Sequence, residues 1–199
     1  MIHSTRPLRG LAQGHGERSR TMTERVVIAG SGGQGVMLLG KVLAQSAMLA
    51  GKQVTWFPAY GPEVRGGTSH CMVTISDQEI GSPYITVADT LIILNHPSLL
   101  RFQRLVKNNG LLILNSSLAE AFPTAKPKIL QFPFTDIALR LGNIKVANMV
   151  ALGCFTAARQ IIKAKDILKV FASIAPAGNL KILEVNRQAL EEGLKLNHG

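Results

Sequence analysis

The most constraining feature of this chain is an apolar run that ends in a glycine-rich turn and continues directly into a helix-like pattern. Arg25–Gly30 (RVVIAG) is β-branched and apolar, which is typical of a strand buried on both faces of a parallel sheet. Gln34 to Ala50 predicts a helix that Gly51 ends. Its apolar face recurs at helical spacing: Val36, Leu39, Leu43, Ala47 and Ala50. A strand, a tight turn and a helix in this order predict the start of an α/β fold.

The same alternation continues along the chain. Val54–Phe57 predicts a second strand, parallel to the first and reached by a right-handed crossover. Residues 70–76 predict a strand that could be an antiparallel addition. Further strands are predicted at 90–94, 111–114 and 128–132, and helices at 98–107, 134–141, 147–162, 164–171 and 180–194. We therefore expect one α/β domain over residues 23–199, with an open, mainly parallel, Rossmann-like three-layer sheet and some antiparallel addition.

Residues 1–22 differ from this pattern. They carry arginine, glycine and serine without helical or strand periodicity, and they have no apolar segment of the kind a secretory signal needs. We expect a disordered or non-native N-terminal extension, with Met22 as the biological start.

Composition narrows the function. The chain has no apolar run of about 18 residues, so we expect no membrane span. The net charge of +10 is spread singly and without interleaved aromatics, which disfavours nucleic acid as a partner. The two cysteines, Cys71 and Cys154, are far apart in apolar surroundings, and we expect them to be buried thiols in a reducing cytoplasm. No metal-ligand or iron–sulfur spacing occurs.

The glycine-rich turn has the spacing G-x-G-x-x-G, directly after a strand and at the start of a helix. Glycines let the backbone approach a ligand, and the free N–H groups of a helix start attract an anion. The candidate ligand-binding residues are Gly30, Ser31, Gly32, Gly33, Gln34 and Gly35. The ribose-binding acid of a dinucleotide site is missing at the end of the second strand, which reads Thr-Trp-Phe-Pro. A nicotinamide or flavin dinucleotide is therefore disfavoured, while another anion, a neighbouring subunit or a purely structural turn remain open.

A second glycine-rich loop, YGPEVRGGTSH, spans Tyr60–His70. Its candidate site residues are Glu63, Arg65, Gly66 and Gly67. Glu63 and Arg65 could form a local ion pair that shapes the loop, or Arg65 could face a phosphate or a partner carboxylate.

Four polar residues lie near the ends of predicted strands or helices. His70 is better explained as a packed or interface residue than as a proton carrier, and His96 as a loop residue at the carboxyl edge of the sheet. Asn115 and Asn148 could be caps or contacts to a neighbouring subunit. No nucleophile with an adjacent base and no paired carboxylates occur, so the sequence offers no catalytic residue.

Read together, the motifs resemble the gamma subunit of the 2-oxoacid:ferredoxin oxidoreductases, which is also the gamma-like domain of single-chain pyruvate:ferredoxin oxidoreductase. The matching stretches are GSGGQGV at 30–36, YGPEVRGGTSHCMVTIS at 60–76, ADTLIILN at 88–95, NGLLILNSSL at 109–118 and NMVALG at 148–153.

The resemblance implies a subunit of a cytoplasmic complex that decarboxylates a 2-oxoacid, reduces ferredoxin and forms an acyl-CoA. Thiamine diphosphate, Mg²⁺ and iron–sulfur clusters are then expected in partner alpha, beta and, where one is present, delta subunits, and coenzyme A is the ligand expected near this chain. The resemblance favours 2-oxoglutarate as the substrate, with pyruvate, branched-chain and arylpyruvate substrates still open, and we expect no activity from the isolated chain. Two alternatives stay open: an independent Rossmann-type nucleotide-binding protein or NAD(P)-dependent enzyme, and a purely structural assembly subunit.

Overall fold

A computed structural model describes residues 21–59, 68–120, 126–174 and 180–196. The strands are β1 (Thr23–Ser31), β2 (Gln53–Ala59), β3 (Thr68–Ser76), β4 (Ala88–Ile93), β5 (Val106–Asn115) and β6 (Lys128–Phe132). The helices are α1 (Val36–Leu49), α2 (His96–Phe102), α3 (Phe134–Arg140), α4 (Ala147–Arg159), α5 (Ala164–Ile174) and α6 (Leu180–Lys195), with short 3₁₀ helices at Gln103–Leu105 and Ile144–Val146.

These strands form one mixed sheet in the order β2-β3-β1-β4-β5-β6. Strands β4, β5 and β6 continue from β1 in parallel, whereas β3 runs antiparallel to both β1 and β2. The predicted α/β class and mainly parallel sheet are confirmed. The predicted second strand, β2, runs in the same direction as β1 but is not its neighbour, because β3 lies between them, so the two glycine-rich loops do not follow adjacent strands.

Two apolar layers sandwich the sheet. On one face, α1 and α3–α6 cover strand residues such as Ile28, Val73 and Ile113. On the other face, α2 and the β3–β4 connection cover a smaller cluster that contains Val27 and Leu91. The central strands are therefore buried on both faces, which explains their continuous apolar sequences.

Helix α1 is close to its prediction. Val36, Leu39, Leu43 and Ala47 are buried as expected, but Ala50 is exposed because the helix ends at Leu49 and Ala50 is its C-cap. Gly51 has φ 76°, the left-handed conformation that favours glycine after a helix.

The predicted helix at 98–107 is wrong in its second half. Helix α2 ends at Phe102, and β5 already begins at Val106. The pairing of β4 with β5 shifts register between Ala88 and Thr90, so residues 107–110 form an irregular part of the strand. Within this part, a Cβ at Gly110 would lie 2.9 Å from the carbonyl oxygen of Asp89, so glycine permits this close approach.

Both cysteines are buried free thiols, as predicted, and burial raises the pKa of each to about 12. The N-terminal residues 1–20 lie outside the described residues, so the prediction of an extension stays a prediction. In the part of the chain that the structure describes, no helix is long and apolar enough to cross a membrane.

Candidate functional site at the carboxyl edge

The carboxyl ends of β1, β4 and β5 meet at one edge of the sheet, and the start of β3 lies at the same edge. The chain turns to opposite sides after β1 and β4, so the crevice between these two strands is the topological switch point where α/β proteins commonly bind ligands.

The first glycine-rich loop follows β1 at this edge. Gly30 and Ser31 are the last residues of β1, and Gly35 is the N-cap of α1. The Gln34 side chain folds back across the loop: its Oε1 accepts from the Ser31 N–H at 2.7 Å, and its Nε2 donates to the Leu94 carbonyl at 3.2 Å. Gln34 therefore fixes the turn and ties it to the end of β4.

Three of the glycines serve different purposes. Gly33 and Gly35 have φ values of 85° and 73°, which side-chain-bearing residues rarely adopt. A Cβ added at Gly32 would meet no other atom within 4 Å, so the loop is open to solvent there. Gly35 instead faces Asn148, whose Nδ2 a Cβ would overlap. The open side of the loop is thus at Gly32 and Gly33.

Asn148, the second residue of α4, contacts the first loop through its buried side chain. Its Nδ2 donates to the Gly35 carbonyl at 3.2 Å, and its Oδ1 is buried without a hydrogen-bond partner among the described residues. The side chain is 1% exposed. Asn148 is therefore not a cap of α4; its described hydrogen bond is to the first glycine-rich loop, and the contact to a neighbouring subunit stays a prediction.

Asn115 at the end of β5 makes a similar internal network. Its Nδ2 donates to the Leu94 carbonyl at 3.1 Å and to Thr135 Oγ1 at 2.9 Å, and its Oδ1 accepts from the Thr135 N–H at 3.2 Å. This contact satisfies an N–H group in the first turn of α3, as a cap would.

The switch-point crevice itself is bridged by the protein's own side chains. Asn95, which follows β4, donates from Nδ2 to Ser31 Oγ and also caps α2 by accepting from the Ser98 N–H at 3.1 Å. The Gln34–Leu94 hydrogen bond closes the crevice a second time. Two internal hydrogen bonds therefore span the crevice between β1 and β4.

A cavity of about 120 Å³ opens beside the loop, on the face covered by α1 and α3–α6. Its walls are mainly apolar, and the residues lining it come from the loop, the ends of β4 and β5, α3 and the start of α4: Gly33, Gln34, Leu94, Asn115, Leu118, Thr135, Ile144, Lys145 and Ala147. Leu118 and Ile144 at the rim are 45% and 54% exposed. Sequence reasoning missed Lys145, because a single lysine in a basic chain carries no recognisable signal.

The second glycine-rich loop lies largely outside the described residues, and so do Glu63, Arg65, Gly66 and Gly67. Its flanks are placed, however. Ala59 pairs with His70, and Thr68 pairs with Ser31, so both ends of the loop start from the carboxyl edge that carries Gly30–Gly35.

Two histidines, His70 and His96, lie near this edge. The His70 ring packs on Phe102 with 4.7 Å between ring centroids, as the packed interpretation predicts. Burial, and then the Arg101 charge, lower the pKa of His70. His96 lies at the carboxyl edge as predicted, but it is the first residue of α2 rather than a loop residue.

Three or more His, Cys, Asp or Glu side chains do not come together as a metal site in the described ranges. The arrangement is instead that of an α/β domain with an open glycine-rich loop, a small apolar cavity and basic side chains at one edge.

Comparison with known proteins agrees with this class. Residues 25–196 match the model of the pyruvate ferredoxin/flavodoxin oxidoreductase family. The chain belongs to this family.

Its relatives include both separate subunits and parts of longer chains. It is 35% identical to the 2-oxoglutarate synthase subunit KorC of Methanothermobacter thermautotrophicus, covering 85% of this chain and 96% of that protein. It is 39% identical to the ketoisovalerate oxidoreductase subunit VorA of the same organism, again over 85% of this chain, but it spans only 35% of the length of that relative.

Among solved structures, the chain is similar to the gamma subunit of a keto/oxoacid ferredoxin oxidoreductase from Geobacter sulfurreducens. The TM-score is 0.76 at 30% identity, with 87% of this chain and 97% of that chain covered. The chain therefore has the fold of a gamma subunit, as the motif resemblance predicts.

Proposed function

We propose that this chain is the gamma subunit of a cytoplasmic 2-oxoacid:ferredoxin oxidoreductase, and that its carboxyl edge handles coenzyme A. The observation that carries the ligand proposal is the open face of the first loop, at Gly32 and Gly33, ahead of the N-terminus of α1. Coenzyme A carries a pyrophosphate and a further phosphate, and a glycine-rich helix start is suited to such groups.

The oxidative decarboxylation then takes place on partner subunits. Thiamine diphosphate supplies the carbanion chemistry and iron–sulfur clusters the electron transfer to ferredoxin, and this chain's two buried cysteines are too few for a four-thiolate cluster. The residues of this chain hold and orient the acyl acceptor. We expect alpha and beta subunits, and a delta subunit where the ferredoxin domain is separate.

We propose 2-oxoglutarate as the substrate, supported by the near-complete coverage of a 2-oxoglutarate synthase subunit. The similarity to a ketoisovalerate oxidoreductase subunit is of the same order. Assaying the purified complex with 2-oxoglutarate, 2-ketoisovalerate and pyruvate decides among them by their relative kcat/KM values.

The test of coenzyme A handling is Gly32→Asp in the assembled complex. This position has no positive φ and no neighbouring atoms in the way, so the fold tolerates the side chain while a carboxylate enters the open face of the loop. We expect the KM for coenzyme A to rise at least roughly tenfold through charge repulsion, about 1.4 kcal/mol, with the KM for the 2-oxoacid unchanged.

Gly81→Asp is the matched control, because Gly81 is equally open but lies on the β3–β4 connection, away from the carboxyl edge. A Gly32→Asp complex with an unchanged KM for coenzyme A refutes the ligand proposal. Arg65→Ala tests the second loop in the same assay: a raised KM with intact assembly indicates ligand contact.

A purely structural role is the second candidate. It is favoured by the exposed Leu118 and Ile144 at the cavity rim, which a partner subunit could cover. Failure of Arg65→Ala or Ile144→Asp to assemble, with a normal KM in whatever complex does form, supports this candidate. An independent NAD(P) enzyme is disfavoured by the bridged crevice between β1 and β4, and titration of the chain with NADPH tests it directly.

A further inference from the structure

Arg101 is an exposed cation at the carboxyl edge whose side chain makes two described contacts. It lies in the last turn of α2, on the opposite face of the sheet from the cavity with Lys145. Its Nη1 donates to Thr68 Oγ1 at 2.8 Å, and its guanidinium carbon lies 5.3 Å from the centre of the Phe102 ring. A hydroxyl and an aromatic ring thus orient one planar group.

Neither of these contacts neutralises the guanidinium. Thr68 is an uncharged acceptor, and none of the ion pairs among the described residues includes Arg101. An arginine has five N–H donors in a fixed fork, so several remain available to a planar or tetrahedral anion.

The position of Thr68 places this fork beside the first loop. Thr68 is the cross-strand partner of Ser31, and such partners lie about 5 Å apart. The Arg101 guanidinium therefore approaches Gly30–Gly35 from one face of the sheet, while Lys145 lines the cavity on the other face.

We propose that Arg101, oriented by Thr68 and Phe102, forms a phosphate subsite on the α2 face of the carboxyl edge. The choice of phosphate over another anion rests on the proposed function, because the adjacent start of α1 is proposed to hold a phosphate-bearing ligand. An arginine fork binds phosphate through two parallel N–H···O bonds, so the subsite would fix the orientation of the ligand as well as its charge.

His70 offers a local reporter of occupancy. Its ring stacks on the same Phe102, and its cross-strand neighbours are Ala29 and Ala59, which carry no charge. The Arg101 charge lowers the pKa of His70, after the larger effect of burial. A phosphate bound to Arg101 offsets this charge and must raise the pKa of His70.

The experiment is an NMR titration of His70 in the full chain, with inorganic phosphate replacing chloride at constant ionic strength. A His70→Gln variant assigns the signal. We expect phosphate to raise the pKa of His70 in the wild type by roughly half a pH unit, the size of one screened charge several ångströms away. In Arg101→Ala, the pKa in chloride should already be higher, and phosphate should no longer change it.

Two further variants separate the subsite from general electrostatics. Arg104→Ala removes an exposed arginine from the adjacent 3₁₀ helix and should respond to phosphate as the wild type does. Thr68→Val keeps the Arg101 charge but removes the hydroxyl that accepts its hydrogen bond. We expect this variant to need a several-fold higher phosphate concentration for the same change in the pKa of His70.

The proposal is overturned if phosphate leaves the pKa of His70 unchanged in the wild type. It is also overturned if phosphate raises this pKa in Arg101→Ala as much as in the wild type. Because Gly32→Asp is assayed independently through the KM for coenzyme A, the two failures are distinguishable. If phosphate does not change the pKa of His70 but Gly32→Asp raises the KM for coenzyme A, only the Arg101 subsite is refuted. If phosphate raises the pKa of His70 but Gly32→Asp leaves the KM for coenzyme A unchanged, the subsite stands and coenzyme A is refuted as the ligand of the loop.

Discussion

Replacing Gly35 with alanine should destabilise the protein for two separable reasons. Gly35 has φ 73°, where a residue with a Cβ is about 1–2 kcal/mol less stable than in the right-handed region. In addition, the new Cβ would overlap Asn148 Nδ2 and lie 3.0 Å from its Cγ. The buried Asn148 must then give up its hydrogen bond to the Gly35 carbonyl, which costs about 1–3 kcal/mol.

The neighbouring glycines provide matched controls for each reason. Gly33→Ala has the same backbone problem, with φ 85°, but no atom within 4 Å of the new Cβ. Gly32→Ala has neither problem. We therefore expect a free-energy loss of about 2–5 kcal/mol at Gly35, about 1–2 at Gly33 and close to zero at Gly32.

Equilibrium unfolding in urea of the full chain measures these losses, and a double-mutant cycle isolates the contact with Asn148. In an Asn148→Ala background, Gly35→Ala should cost only its backbone component, so the two sites should be coupled by about 1–3 kcal/mol. Equal losses at Gly33 and Gly35, or additive effects of Gly35→Ala and Asn148→Ala, would refute the argument that Asn148 requires a glycine at position 35.

Three further substitutions test single contacts elsewhere in the fold. Gly153→Ala should unfold the chain or cost at least about 3 kcal/mol, since its Cβ would overlap the Leu190 carbonyl of the packed helix α6, and thermal melting measures the loss. Asn115→Ala should cost about 2–4 kcal/mol in the same melts, because it leaves the buried groups of Thr135 without partners. Since the pKa of His70 is lowered on folding, its contribution to stability is present above pH 6.5 and decreases as the pH falls towards the folded-state pKa, so His70→Gln should flatten the acid side of the stability curve measured by urea unfolding.

The sequence was most informative where a structure depends on neighbouring residues. The β1–loop–α1 unit was predictable because its pattern of apolar residues and glycines is local, and the positive φ values at Gly33 and Gly35 are the reason that glycine recurs there. Gly51 is a further example, because its role as a helix stop depends only on the preceding turn.

Strand pairing was less predictable because it is decided by distant residues. The alternation of strands and helices is compatible with β2 beside β1, and nothing in the sequence of β3 indicates that it pairs on both sides. The end of α2 shows the same limit: Val106 satisfies a helical apolar pattern, but pairing with Ala88 draws it into β5.

The candidate site was predictable only in part for the same reason. The glycines of the first loop were identified from their spacing, whereas Asn148 and Lys145 lie more than a hundred residues further along the chain and reach the loop through the packing of α4. Arg101 carries no sequence signal, since its orientation depends on Thr68, which belongs to the distant strand β3.

Charged side chains form ion pairs at the amino edge of the sheet, whereas two cations at the carboxyl edge do not, among the described residues. This contrast supports a ligand at the carboxyl edge. At the amino edge, Arg159 Nε lies 2.9 Å from Glu24 Oε1, and Asp89 pairs with both Arg25 and Lys107. Burial raises the pKa of Glu24, because it disfavours the charged carboxylate. The ion pairs of this network therefore offset part of the cost of burying that charge.

At the carboxyl edge, Arg101 and Lys145 have no such partners among the described residues. Glu24→Gln should therefore change stability without changing the KM for coenzyme A, whereas Arg101→Ala and Lys145→Ala should raise that KM with little change in the free energy of unfolding. A chain in which amino-edge and carboxyl-edge substitutions affect the KM alike would not have a ligand site at the carboxyl edge.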